Sequence, residues 1–380
     1  MPAPNVAGTI TSYGLDDGRI RIIEPAIDML SPTDLPLQNG YTLYGGVVVR
    51  ALGREEVEDT KFEWQEDTDL DGASTLAAGY TSGGTTMTVA DGSRFLIGDV
   101  IRVGAENLYV SNVVVDALTV AGAQQGTVAA NHASGDQVFV IGQDLGEGAV
   151  PQQTNAKDRV APFNYTEILG PFKVQITGTA DVIPRYGVAS EFNYQLAMRS
   201  LEKAKSFERV LLYGTRFQDV ATTKRKTGGF DFFITQNIDT TTPLLTTATI
   251  GNQLQNVHRA GADTSEYMLL TGYLGKRQVS SLDTDKVQIT REDRGRGQMV
   301  EYLDTDFGRV AMSFSRYCLN NNAFGYTRDQ AKIRTLRPWQ VDDMAKTRDA
   351  REVMCVAEKG LEFKRQQHSF KFTALSTVPT

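Results

Sequence analysis

Cysteine and histidine are scarce: the 380-residue chain holds two Cys and three His. Cys318 and Cys355 stand too far apart in sequence for a disulfide framework or a thiolate zinc site, and such sparse usage suits a reducing compartment. With His132, His258 and His368 scattered as well, no metal centre is expected. No apolar run approaches the ~18 residues that a membrane span requires, so no membrane partner is expected. The opening MPAPNVAGTITSYG lacks the basic-then-apolar layout of a secretory signal. A P-loop, a nucleophile elbow and HExxH are all missing, and GRGQ at 295–298 does not continue into a dinucleotide pattern. His132 and His258 have Asp136 and Asp263 within five residues, but nothing links either pair to a Ser or Cys nucleophile, and both read as solvated or capping histidines. The chain therefore reads as no enzyme, with no cofactor.

What is present is ordinary globular material. The 41 % hydrophobic and 22 % charged content supports a sizeable core and two or three domains, and 35 Gly point to a turn-rich chain with much β structure. The formal charge is −7, from 39 Lys plus Arg against 46 Asp plus Glu.

Residues 1–56 mix Gly, Pro and Asp with short apolar patches, and the two prolines of SPTDLP at 31–36 block regular pairing, so the segment reads as an arm lying on something else. KFEWQED at 61–67 alternates Phe62 and Trp64 with polar residues, as a half-buried strand does. From 68 to 142 short apolar runs (MTV, FLIGDVIRV, NLYV, ALTVA, QVFVIG) recur between DG, GD and SGD turns about ten residues apart, the signal of a small β-barrel or sandwich. This all-β module carries Asp69, Asp71, Asp91, Asp99, Glu106, Asp116 and Asp136 against Arg94 and Arg102, a net of −5. The remainder is nearly neutral. Beyond the module, NYTEILGPFKVQITGTADVI places Phe172, Val174 and Ile176 on one face and Lys173, Gln175 and Thr177 on the other, and can pair with KFEWQED as a long hairpin with the module at its tip.

The clearest helix spans 190–213. Ser190 caps it, Glu191 follows in the first turn, Ala197, Leu201, Ala204, Phe207 and Leu211 recur at helical spacing, and Gly214 ends it. Residues 228–330 alternate helical and strand-like pieces. The C-terminal stretch pairs AKIRTLRP with EVMCVAEKGLEFKRQQHSFKF, where Val353, Cys355 and Ala357 share a face.

Two patterns hint at ligands. Asp67-Thr-Asp69-Leu-Asp71-Gly72 reproduces the first half of a calcium loop, a weak metal candidate because the twelfth position, normally a bidentate Glu, is Ala78. Basic residues cluster in TKRKTGG at 222–229, REDRGRG at 291–297 and EFKRQQH at 362–368; each suits phosphate contact or ion pairing with a neighbouring acidic surface. Trp64, Phe62 and Trp339 are taken as packing or assembly anchors.

LSPTDLP, KFEWQEDTDL, NYTEILGPFKVQITGTADVI, LEKAKSFERVLLYG, the TGG of KRKTGG, YLDTDFGRVAM and LRPWQVDDMAKTRDAREVMCVAEKGLEFKRQQH together resemble the major capsid proteins of tailed bacteriophages with the Hong Kong 97-type fold. The likeness covers nearly the whole chain except 68–142. It implies an α+β capsid fold: an N-terminal arm (1–56), an extended loop (57–180) interrupted by the 68–142 module, a peripheral domain (181–227 and 331–380) with spine helix 190–213, and an axial domain (228–330). It implies self-assembly through pentamers and hexamers into an icosahedral virion shell, formed in the host cytoplasm around double-stranded DNA held by weak contacts. Portal, scaffold or decoration proteins are the further partners. The alternatives are a nanocompartment shell of the same fold, or a glycan-binding or tail-associated structural protein. Crosslinking between subunits, known in some relatives, would need a Lys such as Lys157 to meet an Asn.

Overall fold

The computed structural model describes residues 35–39, 41–42, 48–49, 51–67, 72–144, 147–148, 159–184, 190–263, 266–281 and 302–376. Most of the expected arm, the REDRGRG cluster, Lys157, Asp69 and Asp71 lie outside the described residues. The chain forms two compact units: 64–162 is one, and the flanking segments make the other.

In the flanking unit, a short helix α1 (Pro36–Asn39) precedes strands β1 (Gly53–Glu56) and β2 (Lys61–Glu63). The unit 64–162 supplies β3 (Ala73–Thr75), β4 (Thr86–Thr88), β5 (Asp99–Val103), β6 (Glu106–Val114), β7 (Ala117–Ala121) and β8 (Gln137–Gln143). The flanking unit resumes with β9 (Phe163–Tyr165), β10 (Glu167–Thr177), helix α2 (Glu191–Tyr213), and the hairpin β11 (Phe217–Asp219) and β12 (Lys224–Lys226). Then come β13 (Ile238–Asp239), α3 (Thr247–Arg259), β14 (Glu266–Thr271), α4 (Tyr273–Ser280), β15 (Tyr302–Thr305), β16 (Gly308–Phe314) and β17 (Ala323–Tyr326). Two long strands, β18 (Ala331–Asp343) and β19 (Ala350–Phe363), and the short β20 (Phe370–Phe372) finish it.

Besides two-stranded pairs such as β2 with β9 and β11 with β12, the flanking unit has, among its described residues, two sheets of more than two strands. One runs β10-β19-β18-β1, with β19 antiparallel to both neighbours and β1 parallel to β18. The other runs β13-β20-β17-β14-β16-β15 and carries α3 and α4. Helix α2 begins where the sequence places it: Ser190 Oγ accepts from the Asn193 amide at 3.4 Å, and the Gly214 amide closes the last turn on Val210 O at 2.8 Å. Its two ends are buried: Phe192 in the first turn packs with Val174, Ile176, Val353 and Cys355, and the last turns enter the main core. Phe207, Leu211 and Leu212 are buried among Phe230, Phe324, Phe363 and Leu361, whereas Ala197 is exposed and Leu201 and Ala204 are half-buried.

Within the unit 64–162, six strands run in the order β3-β8-β5-β6-β7-β4. Just beyond β3 and β4, Leu76 faces Val89, with Ala77 N bonding Thr88 O at 2.9 Å and Ala90 N bonding Thr75 O at 2.8 Å. Those bonds join the two ends of the sheet, so a closed barrel results and the edge strands disappear. Twelve side chains, among them Met87, Phe95, Ile101, Leu108 and Val138, fill the interior.

The turn between β6 and β7 approaches a neighbouring loop closely. Val115 has φ 53°, unusual for a β-branched residue, and its carbonyl oxygen lies 1.9 Å from where a Cβ on Gly92 would sit. Because the opposing atoms are backbone, neither side can yield. Gly92→Ala is expected to destabilise the barrel by about 2–3 kcal/mol. A lower urea midpoint for protease resistance within 64–162 checks this.

Candidate assembly surfaces

Strand β19 carries two chemistries. Its residues Val353, Cys355, Ala357, Leu361 and Phe363 are buried in the hydrophobic clusters shared with α2. The alternate positions Glu352, Glu358 and Glu362 are also buried, at 9 %, 3 % and 1 % exposure. Buried carboxylates persist only when paired, and each of these is. Glu352 takes Lys173 Nζ from β10 and Arg348 Nε, both at 2.7 Å. Glu358 takes Arg337 Nε from β18 at 2.8 Å, together with Arg225 from β12. Glu362 takes Arg334 from β18 and Lys364 Nζ at 3.1 Å. Arg334 continues to Glu55 on β1 at 2.9 Å, where Lys332 joins at 3.2 Å. The Lys173 and Arg348 bonds hold the Glu352 carboxyl below the usual carboxylate range, and the Lys332 bond does so for Glu55. The sheet thus bears a cross-strand charge ladder in which each buried carboxylate meets two cations.

Removing one rung is expected to be costly. Glu358→Ala strands Arg225 and Arg337 beside a sheet face and should destabilise the chain by about 3 kcal/mol, the cost of breaking a buried pair from one side. Urea unfolding of full-length wild type and variant checks it.

The junction of hairpin and sheet is similarly satisfied. Buried Asn164 on β9 donates to Thr227 Oγ1 at 2.9 Å, Gly228 O at 3.2 Å and Leu361 O at 2.6 Å. Phe62 on β2 packs so closely over Gly360 that a Cβ there would lie 2.8 Å from its ring. At the far end of α1, Glu208 of α2 is fully buried and accepts the Leu37 amide at 2.7 Å and Gln38 Nε2 at 2.9 Å. These bonds fix Leu35–Asn39 to the spine helix. A groove of about 390 Å³ follows β10 beside the first turns of α2, lined by Lys173, Gln175, Ile176, Glu191, Phe192 and Arg199. Its charged walls are engaged with Glu352 and Glu202, and no nucleophile or acid–base pair converges on it.

In the barrel, Glu106 is fully buried. It accepts the Ala123 and Ala130 amides at 3.0 Å each and faces His132 Nε2 at 2.9 Å. Tyr80 stacks on the His132 ring. Burial opposes the charge on Glu106, yet the three donors prevail and hold its carboxyl below the ordinary range. The strap 122–136 is thereby pinned across one end of the barrel.

Sheets and straps are thus held by buried carboxylates that meet cations and backbone donors. A family profile described as SU10 major capsid protein matches residues 7–376. The chain belongs to this family. It is a tailed-phage major capsid protein, and its place is the virion.

One solved structure agrees at the level of fold. The chain superposes on a cyanophage A-1(L) capsid asymmetric unit with TM-score 0.51 at 13 % identity, covering 94 % of this chain and 98 % of that one. A Microbacterium phage Oxtober96 structure gives TM-score 0.46 at 10 % identity over 85 % and 88 % of the two chains. The SrpI encapsulin from Synechococcus elongatus gives 0.42 at 10 % identity over 59 % and 80 %. No curated protein matches the sequence. The α+β capsid fold expected from the residues is the one observed.

For this capsid subunit the expected site residues fall out as follows. Phe62 and Trp64 are buried, the Trp64 indole donating to Glu66 Oε1 at 2.8 Å, and Trp339 packs edge-on against Phe172. Of the calcium candidate only Asp67 is described; it lies in a strand pair opposite Arg159, and no metal-ligating cluster occurs among the described residues. In TKRKTGG, Arg225 and Lys226 are ion-paired, to Glu358 and Glu167, as the pairing reading of that cluster requires. His132 corrects its expectation: it is buried against Glu106, not solvated, because a barrel end closes over it. His258 sits in the last turn of α3 near Phe307.

Sequence reasoning missed the glutamates of β19. Their signal is there, since positions 352, 358 and 362 share strand parity opposite Val353, Cys355 and Ala357, and Arg334 and Arg337 lie on the preceding strand. Glu106 gave no such signal.

Proposed function

We propose that the chain works by assembly without turnover, closing through pentamers and hexamers into an icosahedral shell around double-stranded DNA in the host cytoplasm. The reading rests above all on the family match along 7–376. Residues 1–56 act as the arm, 57–180 as the extended loop around the inserted barrel, 181–227 with 331–380 as the peripheral domain, and 228–330 as the axial domain. Trp64, Phe62 and Trp339 serve as packing anchors at these joints. Copies contact one another heterologously, and interfaces of about 1,600 Å² shared with several neighbours add moderate affinities into a durable shell. DNA is held by weak, sequence-independent contacts, with portal, scaffold and decoration proteins as further partners.

Charge supports an orientation. Duplex DNA presents about one phosphate per 1.7 Å, which repels a barrel of net −5, so the barrel belongs on the outer surface. Lys203, Lys205, Arg209 and the run Lys224, Arg225 and Lys226 belong nearer the inner surface or the subunit contacts. Negative-stain images of the purified protein or its source particle are expected to show closed shells with nuclease-protected DNA. Shells holding protein cargo instead make it a nanocompartment, and no shells at all leave the glycan-binding or tail reading. Density for 68–142 on the genome side overturns the orientation.

A further inference from the structure

The tip of the β11–β12 hairpin presents apolar side chains to solvent. Val220 is 80 % exposed there and Phe217 51 %. A lone exposed apolar side chain is ordinary, but these two sit on a turn that is held still. Asp219 Oδ1 accepts the Ala221 amide at 3.0 Å, its other oxygen accepts the Thr222 hydroxyl, and Thr223 turns the chain at φ 53°. Beside them Lys224 is exposed and, among the described residues, makes no ion pair.

The groove of about 390 Å³ beside β10 has the opposite character. Strand β10 ends its sheet, so side chains from both of its faces line the groove. Val174, Ile176 and Phe192, which pack together, give it an apolar floor. The cations on its walls are already matched, Lys173 by Glu352 at 2.7 Å and Arg199 by Glu202 at 2.8 Å. A phosphate backbone finds no unmatched cation among these lining residues, whereas an apolar side chain finds the floor. Glu191, which accepts Gln195 Nε2 at 2.7 Å, adds a carboxylate to the lining.

The hairpin cannot fill the groove of its own chain. From Gln195 to Gly214 the chain rises about 28 Å, at roughly 1.5 Å per residue, and the hairpin starts beyond that end of α2. Its root is clamped to the start of β10, where Arg225 Nε donates to Thr166 O at 3.0 Å and Lys226 Nζ meets Glu167 at 2.8 Å. The groove begins at Lys173, about 20 Å further along the strand at roughly 3.3 Å per residue, while the tip extends only about 10 Å past the root. Knob and groove lie at opposite ends of α2 and can meet only between copies. A contact between two different patches is heterologous, the kind that closes rings.

We propose that the β11–β12 tip of one copy seats Val220 and Phe217 in the β10–α2 groove of the next, with Lys224 beside the neighbour's Glu191. This rests on the self-assembly reading and names two of the surfaces that carry it. An ordered turn loses little freedom on docking, which suits a contact repeated many times in one shell.

The test uses full-length chains bearing V220C, Q195C or both, since the native Cys318 and Cys355 are buried. Shells of the double variant are treated with oxidised glutathione, which takes up the two electrons as each disulfide forms. They are expected to give ladders of linked chains beyond the dimer on non-reducing gels, and V220C alone to give none. Dimers from V220C alone overturn the proposal in favour of a two-fold contact, and shells without a V220C-to-Q195C link overturn it outright. In unassembled subunits Q195C is expected to react readily with a maleimide, and in shells to be protected. Protection in both states overturns the proposal in favour of an occupant from the same chain. Val220→Asp replaces an exposed side chain, so it is expected to keep the subunit's urea midpoint and to raise the concentration for half-maximal assembly about tenfold. K224E is expected to weaken assembly in the same way and E191K to restore it. Unchanged assembly by V220D overturns the proposal. Wild-type shells without the link defeat only this contact, and the absence of wild-type shells defeats the self-assembly reading with it.

Discussion

Deleting residues 1–34 is expected to yield a folded subunit that makes no closed shells, whereas deleting 1–40 should damage the subunit itself. The difference lies in residues 35–40. Leu37 is 1 % exposed in the core of the flanking unit, and its amide together with Gln38 Nε2 satisfies the buried Glu208 carboxylate. Removing them forfeits about 2 kcal/mol of apolar burial and leaves a buried carboxylate short of donors, at about 1–3 kcal/mol more. The longer truncation is therefore expected to lose about 4 kcal/mol in urea unfolding, with the shorter one within about 1 kcal/mol of wild type. Equal midpoints for the two truncations contradict the tether, and normal shells from the shorter one contradict the role of the arm.

The second large effect is expected in the barrel. Glu106→Gln keeps the shape of the side chain but removes the charge that meets His132, and one of its carboxylate oxygens becomes an amide nitrogen facing donors. A loss of about 2–4 kcal/mol is expected within 64–162, read as faster hydrogen exchange of the Ala123 and Ala130 amides in the full chain. The pH dependence has a definite sign. The folded carboxyl lies below its unfolded value, so its contribution is complete above the ordinary glutamate pKa of roughly 4.3 and fades as pH falls through the folded value. Wild-type protection of the strap should thus decline in acid, and the Gln variant should lack that part of the decline. Identical acid profiles for the two proteins rule out Glu106 as the pin.

Local patterns were legible where they depend on neighbours in sequence. The helix 190–213 followed from a Ser cap, a helical apolar stripe and a terminal Gly, and appears as Glu191–Tyr213. The alternation of Phe172, Val174 and Ile176 placed one face of a strand found at Glu167–Thr177, and Val353, Cys355 and Ala357 do share a buried face. Short runs between turns at 68–142 left barrel and sandwich open. Two backbone bonds flanking the Leu76–Val89 bridge, between segments about a dozen residues apart, decide for closure.

By itself the sequence determined the mixed α+β character, the spine helix, the absence of familiar catalytic motifs and, through the resemblance of its ordered segments, the capsid fold. Each of these is written in period, cap or motif, within reach of a few residues. Tertiary structure alone decided which charges matter. Glu106, Glu208 and the glutamates of β19 look like surface residues until strands and helices far apart in the chain bring donors to them, and Lys359 looks like a solvated base until the fold sets it beside the Trp339 and Phe207 rings. Pairing and desolvation are long-range properties. The scarcity of cysteine and histidine has its counterpart here, in a subunit that fastens itself with buried carboxylates and guanidinium groups.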